Sequence, residues 1–534
     1  MTRKRTRIGI FGWGVVAPKS PTIEHFEENL RRGGSWLEPF DAFGPSNFLV
    51  GNPEFDFSRY RGWIDERFEP RRFAQLESKM GPPVKYAIGA FIQALSQNEG
   101  LETELQELGD AAHIYVGTGL GDFVTEERIM VRYHRAQRHW NRFWCREEHH
   151  PELASYRRLS DDERQARRAE LGAPEDPADH RPEDGSYDEL LYEWFAFWID
   201  RSEGLQRYLA ELREIEGEGV GENIEAGKKS LIRRKMSQRK RLDQRYGCPL
   251  APWSSVDAKI LWNIDNIPAA QISMLGQITG ATMSPVAACS GFGTALKLAD
   301  NAIQLGQARA CVVGMTDPPP HPLTVGGFSD ARVVAGDGEV SKPFTGLRGT
   351  HVAGGACIWI VGDADYLIAK GMRPLGLEIL GIALSSDADH IITPSSEGPK
   401  QAMRQAIAEA GVQPEEIATW DMHATATPGD WMELETALSI LSPETQFTAR
   451  KGTFGHGMAV CGGWELTAQH LAVAGGEQFP VDVDLEELHP QIRPYADSIV
   501  GRETERPQGT IAGKINMGVG GVNACVISRA WEDG

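Results

Sequence analysis

Pro285-Val286-Ala287-Ala288-Cys289-Ser290-Gly291-Phe292-Gly293 runs straight into Thr294-Ala295-Leu296-Lys297-Leu298-Ala299-Asp300-Asn301-Ala302-Ile303. Small residues flank a single thiol, and Leu296, Ala299 and Ile303 follow at helical spacing. The pattern predicts a core-entering helix with Cys289 at its amino-terminal end. Unpaired amide N–H groups and the positive end of a helix dipole favour a thiolate there, lowering the cysteine pKa from about 8.5. Taken alone, a buried inert cysteine satisfies the pattern equally well.

Three stretches downstream change that balance. Asp421-Met422-His423-Ala424-Thr425-Ala426-Thr427-Pro428-Gly429-Asp430 places a histidine after a predicted strand (417–422), in a turn-rich loop. Lys451-Gly452-Thr453-Phe454-Gly455-His456-Gly457 places a second one at a glycine-flanked helix start. Gly518-Val519-Gly520-Gly521-Val522-Asn523 offers closely spaced amides able to cradle an oxyanion. A nucleophile, two histidines and an amide loop make an acyl-transfer site by role.

In order along the chain, these motifs resemble the β-ketoacyl-(acyl-carrier-protein) synthases, decarboxylating condensing enzymes of the thiolase superfamily. Ile8-Gly9-Ile10-Phe11-Gly12-Trp13-Gly14, Gly327-Phe328-Ser329-Asp330-Ala331-Arg332 and Ser341-Lys342-Pro343-Phe344 carry the resemblance too, which covers most of residues 6–120 and 255–530. Val352-Ala353-Gly354-Gly355-Ala356 and Pro394-Ser395-Ser396-Glu397-Gly398 look closest to the elongating type I synthases of dissociated fatty-acid synthesis.

Composition sets the outer bounds. The chain has 534 residues, a formal charge of −20 and seven scattered cysteines. Odd cysteine number without CxxC spacing argues against a disulfide framework or zinc site and fits a reducing cytoplasm. The acidic balance disfavours nucleic acid as a ligand. The basic amino terminus leads into a short, glycine-punctuated apolar run, not a signal peptide, and no run is long enough to span a bilayer.

Strand-like segments (6–16, 111–119, 308–314, 356–361) alternate with helical ones (85–95, 399–410), as in α/β folds. The Cys289 and His456 helices each follow a strand-like segment, a faint internal repeat. The resemblance implies the five-layered α-β-α-β-α thiolase-like fold of two pseudo-symmetric halves, 1–340 and 341–534, with their junction near Ser341. The first half is interrupted at 123–250 by an insertion foreign to the family. Tyr133, Trp140, Phe143 and Trp144, then Leu191, Trp194, Phe195 and Trp198, recur at helical spacing and predict helices with one buried face; 174–188 reads as an exposed, proline-rich acidic loop. Residues 228–245 hold nine basic residues against one acid, either a solvated helix face or a docking patch for an acidic acyl carrier protein around Arg233, Arg234 and Lys235.

Residue by residue, the resemblance makes Cys289 the acyl-accepting nucleophile, with its own N–H and that of Val519 as oxyanion hole. His423 and His456 become Nε2 donors to the enolate left by malonyl decarboxylation. Lys451 and Glu433 correspond to a charged pair supporting the histidine loops, and Asp430 orders the same loop. Thr425 and Thr427 match hydroxyls that contact the phosphopantetheine arm, although a loop bonding itself explains them nearly as well; Gly518 and Gly520 complete the substrate contacts. No metal or organic cofactor is implied, only substrates carried on phosphopantetheine, and a homodimer is expected. Three departures stand out: a loop one residue shorter between Pro428 and Gly429, Val519 where a phenylalanine gate is usual, and Met517 with Val522 in place of an aromatic and a threonine. Two other readings stay open: a thiolase-fold acyltransferase making an ester or amide without decarboxylation, and a non-condensing partner subunit, against which Cys289 argues.

Overall fold

The computed structural model describes residues 5–220, 224–391, 395–504 and 506–531, without the side chains of 225–227. Pro394 of the 394–398 motif and the first four residues of the basic amino terminus lie outside the described residues. The described chain forms two compact units, Glu126–Ile260 and the remainder.

The larger unit is built on strands β1 (Ile8–Val16), β2 (Glu38–Pro39), β3 (Leu49–Val50), β4 (Ala112–Gly117), β5 (Thr282–Met283), β6 (Ala310–Asp317), β7 (Gly355–Asp363), β8 (Leu375–Ser386), β9 (Ile417–Asp421), β10 (Gln446–Thr448), β11 (Ile511–Gly518) and β12 (Val522–Ala530). Apart from the β2–β3 ribbon they join in the order β5-β4-β6-β7-β1-β8-β12-β11-β9-β10. Read outward from its middle, this order repeats. β1–β7 and β7–β6 are antiparallel while β6–β4 and β4–β5 are parallel; β8–β12 and β12–β11 are antiparallel while β11–β9 and β9–β10 are parallel. The ladder between the halves, β1 with β8, pairs Ile8 with Ile379 and Ile10 with Leu375 across a bulge.

Side-chain alternation assigns the layers. In β7, Cys357, Trp359 and Val361 pack with Leu296, Ala299 and Ile303 of the helix Gly291–Gln304 and with Trp464, Ala468 and Ala472 of the helix Cys461–Ala474. Ala356, Ile358 and Ile360 face the other way, onto Ala87, Ala90 and Phe91 of the helix Pro82–Leu95 and Ile272 of the helix Ile267–Gly276. Both faces of the strand are therefore dry, which is why it reads as a continuous apolar run. The second half is covered by Ala402, Met403 and Ala406 of the helix Glu397–Ala410, stopped by Gly411 at φ 68°, and by Leu434 and Ala437 of the helix Gly429–Leu438. Five layers result, with the Cys289 and His456 helices in the central one. Trp359 and Trp464 are wholly buried there, and truncating such a side chain to alanine costs about 3–5 kcal/mol.

Two boundaries differ from the sequence reading. Strand pairing puts β7 inside the first half, so the junction falls between Asp363 and Leu375, not near Ser341. Ser341 lies in a loop before β7, where chain composition carries no sign of which half the next strand joins. The inserted unit ends at Ile260, ten residues beyond the expected 250.

That unit is helical and has its own aromatic core. The helices Phe123–Trp144 and Tyr187–Ile199 bury Trp140, Phe143, Trp144, Trp194 and Trp198, joined by Tyr156 and Tyr208. Ring centroids lie 5.4 Å apart for Trp140–Trp144 and 5.6 Å for Trp194–Trp198, in edge-to-face contact. The 174–188 loop is less exposed than its composition suggests, because Asp176 is buried to accept a 2.9 Å bond from the Tyr156 hydroxyl.

Candidate active site

Cys289 sits in a single 3₁₀ turn, Ala288–Ser290, immediately before the helix Gly291–Gln304. Ala288 takes the left-handed φ of 45°, which is costly for a residue with a side chain. The turn is tied down from below. The Ser290 hydroxyl bonds the carbonyls of Asn516 (3.0 Å) and Val522 (2.7 Å), fixing it against the ends of β11 and β12. A side chain at Gly518 would crowd this approach, since a Cβ there lies 3.1 Å from the Ala287 carbonyl and 3.3 Å from the Cys289 nitrogen.

Hydrogen bonding from the amides of Val519 and of Cys289 itself, the two groups expected as oxyanion donors, favours the thiolate. Burial nevertheless pushes the thiol up to about 11, against the opposing pull of the Lys451 charge and these amides. The sequence reading of a lowered pKa is corrected here: desolvation at a residue only 6% exposed outweighs the helix terminus.

His423 follows β9 and His456 follows Gly455, whose φ of 80° turns the chain into the pocket. One ligand-type atom each of Cys289, His423 and His456 lies within 4.8 Å of the others, and the two imidazole centroids are 5.4 Å apart. Hydrogen bonding sets both tautomers. His456 Nδ1 accepts from the Met458 N–H at 3.0 Å, and His423 Nδ1 faces two donors, Lys451 Nζ and Asn516 Nδ2, each at 3.4 Å. Each ring therefore carries its proton on Nε2. Burial, reinforced by Lys451, holds His456 down to about 3 and His423 well below the ordinary histidine value. Such a pair of neutral N–H donors suits a developing oxyanion. It suits a metal ion poorly, because neither Nδ1 can take up the proton that Nε2 would release.

Lys451 is the clearest revision among the supporting residues. Its Nζ does not pair with Glu433; it bonds Glu465 Oε1 at 2.6 Å and the His423 carbonyl. Burial works against the lysine charge, but Glu465 beside it raises the pKa above the ordinary value. Glu433 instead accepts the His423 and Ala424 N–H groups at 2.6 and 2.8 Å, which spaces the histidine loop from the helix Gly429–Leu438. Asp430 takes the N–H groups of Phe344, Thr425 and Ala426 at 2.8–3.1 Å, ordering the loop as expected despite its shortened turn. Burial pushes Asp430 up to about 6 and Glu433 up to about 7.

A cavity of about 410 Å³ opens over this group, lined by Cys289, both histidines, Thr425, Thr427, Gly518 and Val519, with Phe328, Met432 and Met517 as its apolar wall. Thr425 and Thr427 share a 2.9 Å hydroxyl bond at its edge, leaving further acceptor capacity toward the cavity. Gly520 is not part of the lining: its N–H bonds the Ile391 carbonyl at 2.7 Å and its φ of 90° serves the β11–β12 turn. Val519, 41% exposed, stands at the rim. Val519→Phe is expected to narrow the accepted acyl range, lowering kcat/KM for the bulkiest acyl donors about tenfold while sparing the shortest; a methyl-scale pocket change is worth roughly 1–3 kcal/mol. A chain-length series of acyl thioesters measures it.

Four residues of this centre escape the motif reading. Asp317, at the end of β6, gathers N–H groups from Gly119, Leu120 and Ala459 at 2.8–2.9 Å and so joins three loops around the nucleophile; burial pushes it up to about 6. Glu465, Lys514 and Asn516 form a polar floor beneath His423, with Glu465 and Lys514 as its ion pair. Glu465 and Lys514 are each the one acid, lysine or arginine of their element, the signal that marks them.

Comparison with known proteins agrees with this geometry. The family descriptions "Beta-ketoacyl synthase, N-terminal domain" and "Beta-ketoacyl synthase, C-terminal domain" match residues 236–361 and 377–481, in that order. The chain is 28% identical over 286 residues to a 3-oxoacyl-[acyl-carrier-protein] synthase homolog of Saccharomyces cerevisiae, covering 50% of this chain and 63% of that one. It is 28% identical over 277 residues to 3-oxoacyl-[acyl-carrier-protein] synthase 2 of Rhizobium meliloti, covering 50% and 65%. The match thus spans just under two thirds of the length of these curated relatives. The solved ishigamide ketosynthase/chain length factor superposes with a TM-score of 0.66 at 18% identity, over 99% of this chain and 100% of that one, which establishes the thiolase-like fold. Both family descriptions match in order and on either side of the β7–β8 junction, so over residues 236–361 and 377–481 this chain is similar to β-ketoacyl synthases.

Proposed function

We propose that this protein condenses an acyl group held on Cys289 with a malonyl-type thioester, losing carbon dioxide, in fatty-acid or polyketide biosynthesis. The observation that carries the reading is the convergence of one thiol, two Nε2–H imidazoles and two amide donors on a single cavity. In the first half-reaction the Cys289 sulfur displaces the carrier thiol from an acyl thioester, and the thiol proton leaves with the departing sulfur. The Cys289 and Val519 amides hold the tetrahedral oxyanion. In the second, a malonyl thioester places its carbonyl oxygen at the two Nε2–H groups. Carbon dioxide departs, its bonding electrons form the enolate, and the enolate carbon attacks the acyl carbonyl. Collapse breaks the carbon–sulfur bond and returns the Cys289 thiol after it takes a proton from solvent.

Incubation with acyl-carrier and malonyl-carrier thioesters tests this: a 3-oxoacyl thioester with one carbon dioxide per turnover is expected. Acyl transfer to an alcohol or amine without carbon dioxide would replace it with the ester- or amide-forming reading.

The substrates are taken to arrive on the phosphopantetheine arm of an acyl carrier protein, with no metal or other cofactor. The docking patch first placed at Arg233, Arg234 and Lys235 needs redrawing. Arg234 bonds Glu218 at 2.7 Å and Lys235 is engaged by Glu216, so both cations are already balanced. Lys228, Lys229 and Arg233 stand exposed on the same helix, Ile224–Tyr246, beside exposed Ile232 and Met236. Reversing these three charges to glutamate should raise KM for carrier-bound substrate roughly tenfold, at 0.2–1 kcal/mol per exposed pair, and leave a small thioester mimic unaffected. Equal effects on both substrates would remove docking from this helix.

A homodimer is the natural fate of β5. This outermost strand exposes Thr282 and Met283, beside Val286 at 64% and Met274 at 51% exposure, and an uncovered apolar edge invites pairing with a second copy. Lysine at both Met283 and Val286 should convert dimer to monomer in light scattering; an unchanged mass would assign the edge elsewhere. Seven free cysteines support a reducing, cytoplasmic setting, and no described helix is long and apolar enough to cross a membrane.

A further inference from the structure

Below the cavity lies a buried ionic cluster larger than one lysine–glutamate pair. Glu465 is shared: Lys451 Nζ holds Oε1 at 2.6 Å, while Lys514 Nζ and Asn516 Nδ2 hold Oε2 at 2.9 and 3.0 Å. Lys514 also donates to the carbonyls of Met422 (3.1 Å) and Ile515 (2.6 Å), and lies 3.7 Å from Asp421, which is paired with Arg450 at 2.6 Å. The five charged side chains of this cluster are at most 1% exposed. In the parallel β11–β9 ladder Lys514 stands opposite Asp421. The lysine therefore clasps the last turn of chain before His423.

The consequence falls on His423 Nδ1. Lys451 and Asn516, the two donors that face it, are both anchored on Glu465, and Lys514 holds the same carboxylate. We propose that Lys514 is a positioning residue: by sharing Glu465 with Lys451 and gripping the Met422 carbonyl, it keeps Lys451 and Asn516 aimed at His423 Nδ1, so that the Nε2 proton faces the substrate. The proposal rests on the condensing role assigned to His423.

A proton arriving at Nδ1 would meet those two donors head-on, and the ring would have to turn away. Around the ring stand Lys451, Glu433 on its main-chain N–H, His456 and Cys289 in the cavity, Asp430 in the same loop, Cys461 beyond Asn516, and Glu465, Lys514, Asp421 and Arg450 beneath. The charge of Lys514 is one of the influences holding both histidines uncharged. Removing it leaves Glu465 and Asp421 each short of a cation, and protonation of His423 becomes easier.

The experiment compares Lys514→Met, Lys514→Gln and Lys514→Arg with the parent enzyme. It records kcat against pH and, separately, the titration of the His423 ring by NMR of histidine-labelled protein. For the two uncharged variants the acid-side fall-off of kcat and the His423 titration should both move toward neutral pH by about one unit or more, the scale of one unit charge a few ångströms away at intermediate dielectric. Lys514→Arg should keep the parent position with kcat lowered several-fold. Uncharged variants that melt earlier but keep the parent profiles would overturn the proposal, leaving Lys514 a structural residue. Should neither uncharged variant fold, Lys514→Arg decides: an unchanged kcat overturns the proposal and a lowered kcat on the parent profile sustains it. The ring titration needs no condensation, so a protein that forms no 3-oxoacyl product would unseat the proposed reaction while this readout still tests the role of Lys514.

Discussion

Cys289→Ala is expected to lower 3-oxoacyl product formation by at least about 10⁴-fold, since loss of a covalent nucleophile removes the whole acyl-enzyme route. Carbon dioxide release from the malonyl thioester should persist, because the two imidazoles that receive its carbonyl oxygen do not depend on the sulfur. The enolate then takes a proton and leaves as the acetyl thioester. Alanine fills less space than cysteine and the turn is held by Ser290, not by the thiol, so the fold is expected to survive. Release of carbon dioxide and of 3-oxoacyl product, measured side by side, separates the two half-reactions. Loss of both together would mean that the sulfur also shapes the malonyl site.

His456→Ala gives the complementary pattern. It removes one of two Nε2–H donors to the enolate oxygen, a change worth about 100- to 1,000-fold in rate. Decarboxylation and condensation should fall together, whereas acylation of Cys289, which uses the Val519 and Cys289 amides, should continue near its parent rate. The His456 main chain keeps its place through the N–H bond to the His351 carbonyl at 2.6 Å. Single-turnover acylation followed by a malonyl chase measures both steps. An equal loss of acylation would move His456 from the malonyl site to the nucleophile.

How far the residues alone reach can be judged element by element. The Cys289 turn and its helix were readable because small residues next to an apolar 3.6-residue pattern leave few alternatives. The two histidine motifs were readable because glycines and threonines fix their loops. Sequence neighbours could not disclose which carboxylate meets Lys451. Glu433 and Glu465 are both within twenty residues of it, and only the central position of the helix Cys461–Ala474 brings Glu465 underneath. Lys514 had a signal of its own, a lone charge inside the apolar strand Ile511–Gly518, which is stable only if a buried partner waits for it. The thiol pKa was misjudged because a helix terminus is a local feature, whereas desolvation depends on everything packed above the site. The half-and-half junction was misplaced for a similar reason: β7 joins the first sheet through pairing with β1 and β6, residues hundreds of positions away or dozens before it.

The central claim is that a single thiol accepts the acyl group and gives it up to a decarboxylated malonyl unit. Intact-protein mass spectrometry tests it most directly. After incubation with an acyl-carrier thioester the protein should gain one acyl mass, mapped to the peptide containing Cys289, and a malonyl-carrier chase should discharge it with carbon dioxide. An adduct on another residue, or one on Cys289 that survives the malonyl chase and yields only to an alcohol or amine, would contradict the account.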